Sequence, residues 1–361
     1  MSEDLETVWN QPAARRRPAS GPSFLIAVLL LIGMLATPVP YVRNEPGGTY
    51  DALGAVDEQP LVEIAKTDAY PQYPTSGELR LLTVWEWGGP LGPLALGDAM
   101  RVLFDDSIML QKVDFIYPDP VDSSELEKES AFQFADAESQ AVAAALRALE
   151  IPVTSLVSIL NVDAEGPAAR VLKSGDQLLA IDGERVADLD DVSRVMAAYK
   201  AGDTVSLRLS RGGKEIERSL KLGKNSAGQA RIGIEIRVDF EGPMDIKVQL
   251  NNVGGPSAGL AFALAIYDKL TPGELLRGRT VALTGTIDEN GRVGAIGGLH
   301  QKFAAAARSG ARIMLIPFDN CDNIEGDVPP ELRVVPVSTL SEAVAALQAE
   351  DPTTLPSCPT S

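Results

Sequence analysis

The 361-residue sequence holds one histidine, His300, and two cysteines, Cys321 and Cys358. That scarcity removes most metal architectures, because zinc sites draw several His and Cys together at close spacing, and no His-Glu-x-x-His run occurs. No metal and no cofactor is expected. Aromatics make up only 5%, which suits Ala-rich helices packed on Val-rich strands better than an aromatic ligand pocket. Positive charge is short as well. The formal charge is -18, and up to Arg43 the chain has four basic and three acidic residues, leaving 28 basic against 47 acidic. Such a surface repels phosphate backbones, which excludes nucleic acid as a partner, and it disfavours anionic lipid everywhere but the N-terminus.

What is present is enough hydrophobic residue, 45%, for two or three packed domains. Residues 1–20 carry Arg15-Arg16-Arg17, and an uncharged run follows from Pro18 to Val42, most apolar between Phe24 and Ala36. About 20 apolar residues cross a hydrocarbon core, so residues 21–43 read as a transmembrane helix. The positive-inside rule puts the N-terminus inside and the bulk of the chain outside, a single-pass cell-membrane protein. A cleaved signal peptide is the alternative and leads to the same compartment, although Pro38 and Pro40 follow without a small-x-small cleavage site. Outside the cytoplasm a Cys321–Cys358 disulfide is plausible, with two free thiols as the other reading.

Residues 44–150 read as a Pro- and Gly-rich stalk followed by a small α+β module without visible chemistry. Residues 151–224 differ: strand, turn, short helix, strand, helix and two closing strands. Here Gly166-Pro167-Ala168-Ala169, Ser174-Gly175-Asp176 and Ile181-Asp182-Gly183 stand in the order and spacing of a bacterial PDZ domain, which the segment resembles. The resemblance makes Asp190–Tyr199 a groove helix, with Val192, Val195 and Met196 as walls for an extended peptide added to a sheet edge. The same three residues at helical spacing could equally be core, and the domain a rigid spacer.

Residues 228–350 alternate strands and helices as an α/β domain, before a tail at 351–361. Within it, Gly254-Gly255-Pro256-Ser257-Ala258-Gly259 leads into an apolar helix that must be buried. Ser257 at that helix mouth meets free backbone N–H groups able to hold an oxyanion, with Gly255 and Ser257 as donors. Serine is also an ordinary N-cap. Downstream, Leu299, Lys302, Phe303 and Ala306 share one helical face, so a lysine interrupts an apolar stripe while His300 and Gln301 fall on other faces. A buried lysine loses basicity and can take a serine proton; the alternative is a snorkelling side chain.

The Gly-Pro-Ser-Ala-Gly turn, Thr284-Gly285, and Gly297-Gly298-Leu-x-x-Lys302 together resemble the proteolytic domain of Lon peptidases. The resemblance implies Ser257 as nucleophile, Lys302 as general base and Thr284 as its supporting hydroxyl. It also implies protein or peptide substrates and a homo-oligomer. In layout the chain is similar to bacterial membrane-anchored PDZ–Lon proteins. It departs from ATP-dependent members in having Gly254 where Asp is usual, His300-Gln301 for Lys-Glu, and Thr286 for Glu. No Gly-x-x-x-x-Gly-Lys-Ser/Thr loop occurs in these residues, so no motor is encoded in them. The reading is an ATP-independent serine endopeptidase with a Ser-Lys dyad. Its rivals are a catalytically silent PDZ–Lon scaffold or peptide receptor, and a protein that cuts itself once.

Overall fold

The computed structural model describes residues 21–225, 227–250, 253–324 and 328–359. In chain order its longer elements begin with α1 (Gly21–Leu35), β1 (Tyr41–Asp51), β2 (Val62–Ile64), β3 (Glu78–Gly88), β4 (Met109–Lys112) and α2 (Ser123–Ala148). Next come β5 (Thr154–Val162), β6 (Gln177–Ile181), α3 (Leu189–Met196), β7 (Thr204–Arg211), β8 (Lys214–Lys221), β9 (Ile234–Glu241) and β10 (Ile246–Val248). The chain closes with α4 (Gly259–Leu270), β11 (Thr280–Leu283), α5 (Leu299–Arg308), β12 (Ile313–Pro317), β13 (Arg333–Val337) and α6 (Leu340–Gln348). Two compact units result, one from residues up to Asn44 together with Glu86–Val121, the other from Glu45–Trp85 together with everything from Asp122.

In the first unit, α1 is uncharged and exposes Phe24, Leu25, Leu29 and Leu30. Its end has a local cause: Thr37 donates its hydroxyl to the Gly33 carbonyl at 3.1 Å, and Pro38 cannot continue the ladder. At 15 residues the helix is about 22 Å long against a hydrocarbon core of about 30 Å. The expected transmembrane helix over 21–43 is therefore not what forms: no described helix is long and apolar enough to cross a membrane, and the chain is extended from Pro38. Residues 1–20 lie outside the described part. Arg43, expected to flank a membrane, is only 4% exposed, with its guanidinium 5.8 Å from the Trp87 ring centre and 3.6 Å from the Asp98 carboxylate.

The second unit holds an α/β sheet in the order β13, β12, β11, β3, β1. Strands β3, β11, β12 and β13 are mutually parallel, with Leu283 opposite both Leu81 and Leu315. Being covered on both faces they read as continuous apolar runs, and Ile313–Pro317 is buried at all five positions. Alternation then splits the layers. Ala282, Met314 and Ile316 pack against Leu299, Phe303 and Ala306 of α5, while Val281, Leu283 and Leu315 pack towards α2, α4 and α6. The β11–α5–β12 crossover thus places α5 alone on one face. The tail is held by Leu355, which is buried, and by the Cys321–Cys358 disulfide, with Cα atoms 5.4 Å apart.

This arrangement corrects the expected independent module at 44–150. Residues 45–85 supply parts of β1 and β3 to the sheet and Val62 and Ile64 of β2 to its core, and the second half of α2 buries Ala141, Val142, Ala144, Ala145 and Leu146 in the same core. Residues Glu78–Leu81 of that segment pair with β11, across some 200 residues of chain, a partnership that no local signal reports.

Within the second unit, the segment after α2 forms an antiparallel sheet in the order β8, β7, β6, β5, β9. Its core comprises Val157, Ile159, Leu178, Ile181, Val195, Val205, Leu207 and Leu209. Gly212 and Gly213, at φ of +57° and +76°, make the two-residue turn that matches strand twist between β7 and β8. Asp176 of the Gly-Asp turn is buried. Desolvation pushes its carboxyl up, but two hydrogen bonds from Arg211, at 2.6 and 2.7 Å, hold it below the usual carboxylate range. The expected boundary at 224–228 is wrong for one element: β9 is the edge strand of this sheet, beside β5, instead of the first strand of the α/β domain.

Candidate active site

The apolar face of α4 is pulled fully inside, from Gly259 to Ile266. Its N-cap is Ala258, with no side-chain cap, so Ser257 is not the N-cap serine that the turn could have implied. The Ser257 hydroxyl is left for other chemistry. Gly255 sits at φ +80°, a left-handed conformation that glycine adopts without steric cost, and this bends the chain so that Ser257 faces the carboxyl end of β11. Thr284 follows the last residue of that strand, and its backbone N–H donates to the Leu315 carbonyl at 3.2 Å. Gly285 locks the nucleophile turn to the strand end by donating to the Ser257 carbonyl at 2.9 Å while accepting from Leu260 N–H at 3.1 Å.

From the opposite face of the sheet, α5 starts at a left-handed Gly298, where a Cβ would lie 2.7 Å from a Val84 methyl. Glycine there lets α5 sit close against β3 and aims Lys302 at the strand ends. Lys302 is 3% exposed, and its Nζ lies 3.0 Å from Ser257 Oγ and 3.0 Å from Thr284 Oγ1. Thr284 in turn donates its hydroxyl proton to the Ser257 carbonyl at 3.3 Å, so its oxygen is oriented to accept from the amine. Burial pushes the amine down from the ordinary lysine value to about 8. The snorkelling alternative is excluded by that burial. An amine near neutral pKa, one N–H spent on Thr284, can turn its lone pair to the serine hydroxyl.

Other expected residues fare unequally. His300 is half-buried, but Gln301 is 1% exposed, because α5 is covered on more than the lysine face. Gly255 N–H, expected to be an oxyanion donor, instead donates to the Ser130 carbonyl of α2 at 3.2 Å. Val192 and Met196 line a cleft of about 630 Å³, whereas Val195 is turned into the domain core. The wall opposite α3 was missed: it is Ile232, Gly233, Ile234 and Ile236, at and before the start of β9. Its signal, an Ile-Gly-Ile-x-Ile run, lies beyond the β7–β8 hairpin and looks like any strand entry. Among the described residues no cluster of His, Cys, Asp and Glu could hold a metal ion.

A hydroxyl and a buried amine at the carboxyl ends of parallel strands define a serine–lysine hydrolase type of site. The comparisons agree with that class. Residues 237–349 match the family described as Lon protease (S16) C-terminal proteolytic domain, and residues 132–222 match the PDZ domain family. The chain thus carries a PDZ domain and a proteolytic domain of the Lon serine peptidase type. It is 44% identical over 104 residues to a Lon protease of Neorickettsia sennetsu, covering 28% of this chain and 12% of that protein. With a Lon protease of Xanthomonas oryzae pv. oryzae it shares 39% over 131 residues, 34% of this chain and 15% of that one. The chain therefore spans only a small fraction of the length of the curated relatives it matches. A crystal structure of the PDZ domain of an SdrC-like protein from Listeria monocytogenes is 31% identical, covering 22% of this chain and 85% of that one at a TM-score of 0.22.

Proposed function

We propose that this protein is an ATP-independent serine endopeptidase that cleaves unfolded or flexible protein substrates outside the cytoplasm. The observation that carries the reading is the Lys302 amine, buried and 3.0 Å from the Ser257 hydroxyl. In the first step Ser257 Oγ attacks the substrate carbonyl carbon as its proton passes to neutral Lys302 Nζ, and the carbonyl oxygen becomes an oxyanion beside the N-terminus of α4. The C–N bond then breaks, Lys302 returns the proton to the leaving amine, and an ester to Ser257 remains. Water then attacks the ester as Lys302 takes its proton, and Lys302 passes that proton to the departing Ser257 Oγ, which frees the acid and restores both groups. Thr284 keeps the amine in register and is a positioning residue.

Substrate presentation is assigned to the PDZ cleft between α3 and the start of β9, ahead of Phe240, whose N–H donates to Ser139 Oγ of α2 at 3.3 Å. A peptide added antiparallel to β9 has its carboxyl end at Ile232–Gly233 and its upstream chain running towards Glu241, where β9 hands over to the proteolytic domain. Motor independence rests on the missing phosphate loop within these 361 residues. An outward location, with attachment to the membrane through α1, is supported by the disulfide and by the exposed apolar surface of α1. The homo-oligomer implied by the resemblance belongs to the same proposal and is read by light scattering.

The test is cleavage of an unfolded protein by the full chain and by Ser257→Ala, with mass spectrometry of the enzyme itself. Loss of cleavage in Ser257→Ala is expected without any serine-dependent nick in the wild-type chain. Equal cleavage by both proteins would defeat the reading, and a nick without turnover of added substrate would make the protein self-processing.

A further inference from the structure

The long helix α2 has two unlike halves. From Phe134 onward it is anchored: Phe134 stacks edge-on against Phe262 at 5.7 Å, and Ala137 and Ala141–Leu146 are buried. Between Ser123 and Gln133 no residue is buried, and the sequence includes Glu125, Glu127, Lys128 and Glu129. Both halves border the nucleophile turn, the rear one through the Ala137 carbonyl beside Gly259 and the front one through Ser130 beside Gly254 and Gly255. Ser130 donates no anchor to the core, yet its carbonyl accepts the Gly255 N–H at 3.2 Å. The fit beside it is tight. A Cβ on Gly254 would lie 1.8 Å from Ser130 Oγ and 3.0 Å from Ser130 Cβ, so a side chain at 254 would force the Ser130 hydroxyl to turn and the helix to give way by a few tenths of an ångström.

We infer that the front half of α2 is a self-docked gate, with the Ser130 carbonyl occupying the Gly255 N–H that an oxyanion requires. This inference rests on the proposed role of Ser257. A carbonyl oxygen is the chemical competitor of a tetrahedral oxyanion: both accept from the same donor, and one N–H cannot serve both fully. The gate must leave before Gly255 can stabilise a reacting carbonyl. It is built to leave, since a solvated helical segment gives up few apolar contacts on moving, while the rear half stays packed and keeps the front half close. Gly254 is the residue that leaves room for docking.

Two variants of the full chain test this in opposite directions. Gly254→Ala introduces the clash and expels Ser130; its cleavage of an unfolded protein and its labelling at Ser257 by a fluorophosphonate are expected to rise above wild type. Ser130→Cys/Gly254→Cys carries the same added Cβ, so its reduced form is expected to behave like Gly254→Ala, whereas a disulfide between the two positions, closed after a shift of somewhat under about 1 Å, holds the gate docked. Oxidised, this pair is expected to lose activity by about 100-fold, the cost of one missing oxyanion donor. Mild reductant should raise it to the level of Gly254→Ala, with wild type under the same reductant controlling for Cys321–Cys358. An oxidised lock that cleaves as fast as its reduced form would overturn the gate and make the contact a permanent brace, and so would a Gly254→Ala variant that folds yet labels more slowly than wild type. If Ser257→Ala cleaves normally, the catalytic reading itself fails, which is a different result from an unresponsive lock.

Discussion

The Ser257–Lys302 site and the cleft beside α3 are built in contrasting ways. Ser257, Thr284 and Lys302 each sit within a few residues of a glycine that fixes the local bend: Gly255 at the nucleophile turn, Gly285 at the strand end, Gly298 at the start of α5. Their placement follows from short motifs and one parallel sheet. The groove instead joins α3 to β9, with a complete hairpin between them in the chain and no motif spanning both. Chemistry that depends on one atom's position is written locally, whereas a binding surface that depends on strand pairing is written in register.

That contrast can be broken by substitution. Lys302→Met should lower kcat by about 10²–10⁴-fold with the fold intact, since a proton acceptor is removed and an apolar side chain fills the stripe. Near wild-type turnover would remove the dyad from the mechanism. Thr284→Val should cost about tenfold in kcat with little change in KM, the value of one hydrogen bond that orients the amine. Steady-state kinetics on a short peptide separates this from a general loss of stability.

The groove gives smaller and more selective effects. Met196→Asp, on the cleft wall, should reduce kcat/KM for long unfolded substrates by about fivefold and leave a short chromogenic peptide unaffected. Equal losses on both would place Met196 in the core instead. Val195→Ala should do the reverse, lowering the unfolding midpoint by the equivalent of about 1 kcal/mol or more with peptide affinity unchanged, because Val195 packs inside. A titration of the two variants with one peptide decides between wall and core.

Much of this was legible beforehand, and the gaps have physical reasons. The buried helix after Ser257 and the lysine in an apolar stripe were readable because a 3.6-residue period shows directly which side chains share a face. His300, expected to face solvent, is half-buried, and Gln301 on yet another face is buried, since periodicity does not say how many faces a helix covers in a three-layer domain. The end of α1 at Leu35 was misread because hydropathy weighs composition, while Thr37 and Pro38 set the stop. The roles of β1, β3 and α2 in the α/β layer were invisible, as the PDZ segment separates them from their partners in the chain. So was the Ser130 contact, which depends on the length of α2 and on an absent Cβ.

The account stands on Lys302 holding a neutral amine beside Ser257 near neutral pH. Its folded-state value, about 8, lies below that of an unfolded lysine, so the charged form is disfavoured in the fold and activity should rise as pH climbs through that value. The direct measurement is the titration of the Lys302 amine by NMR in the full chain labelled with ¹⁵N-lysine, assigned by the signal missing from Lys302→Met. The account predicts a midpoint near 8, matched by the pH dependence of Ser257 labelling. A midpoint at the ordinary lysine value, with labelling indifferent to pH across that range, would contradict it.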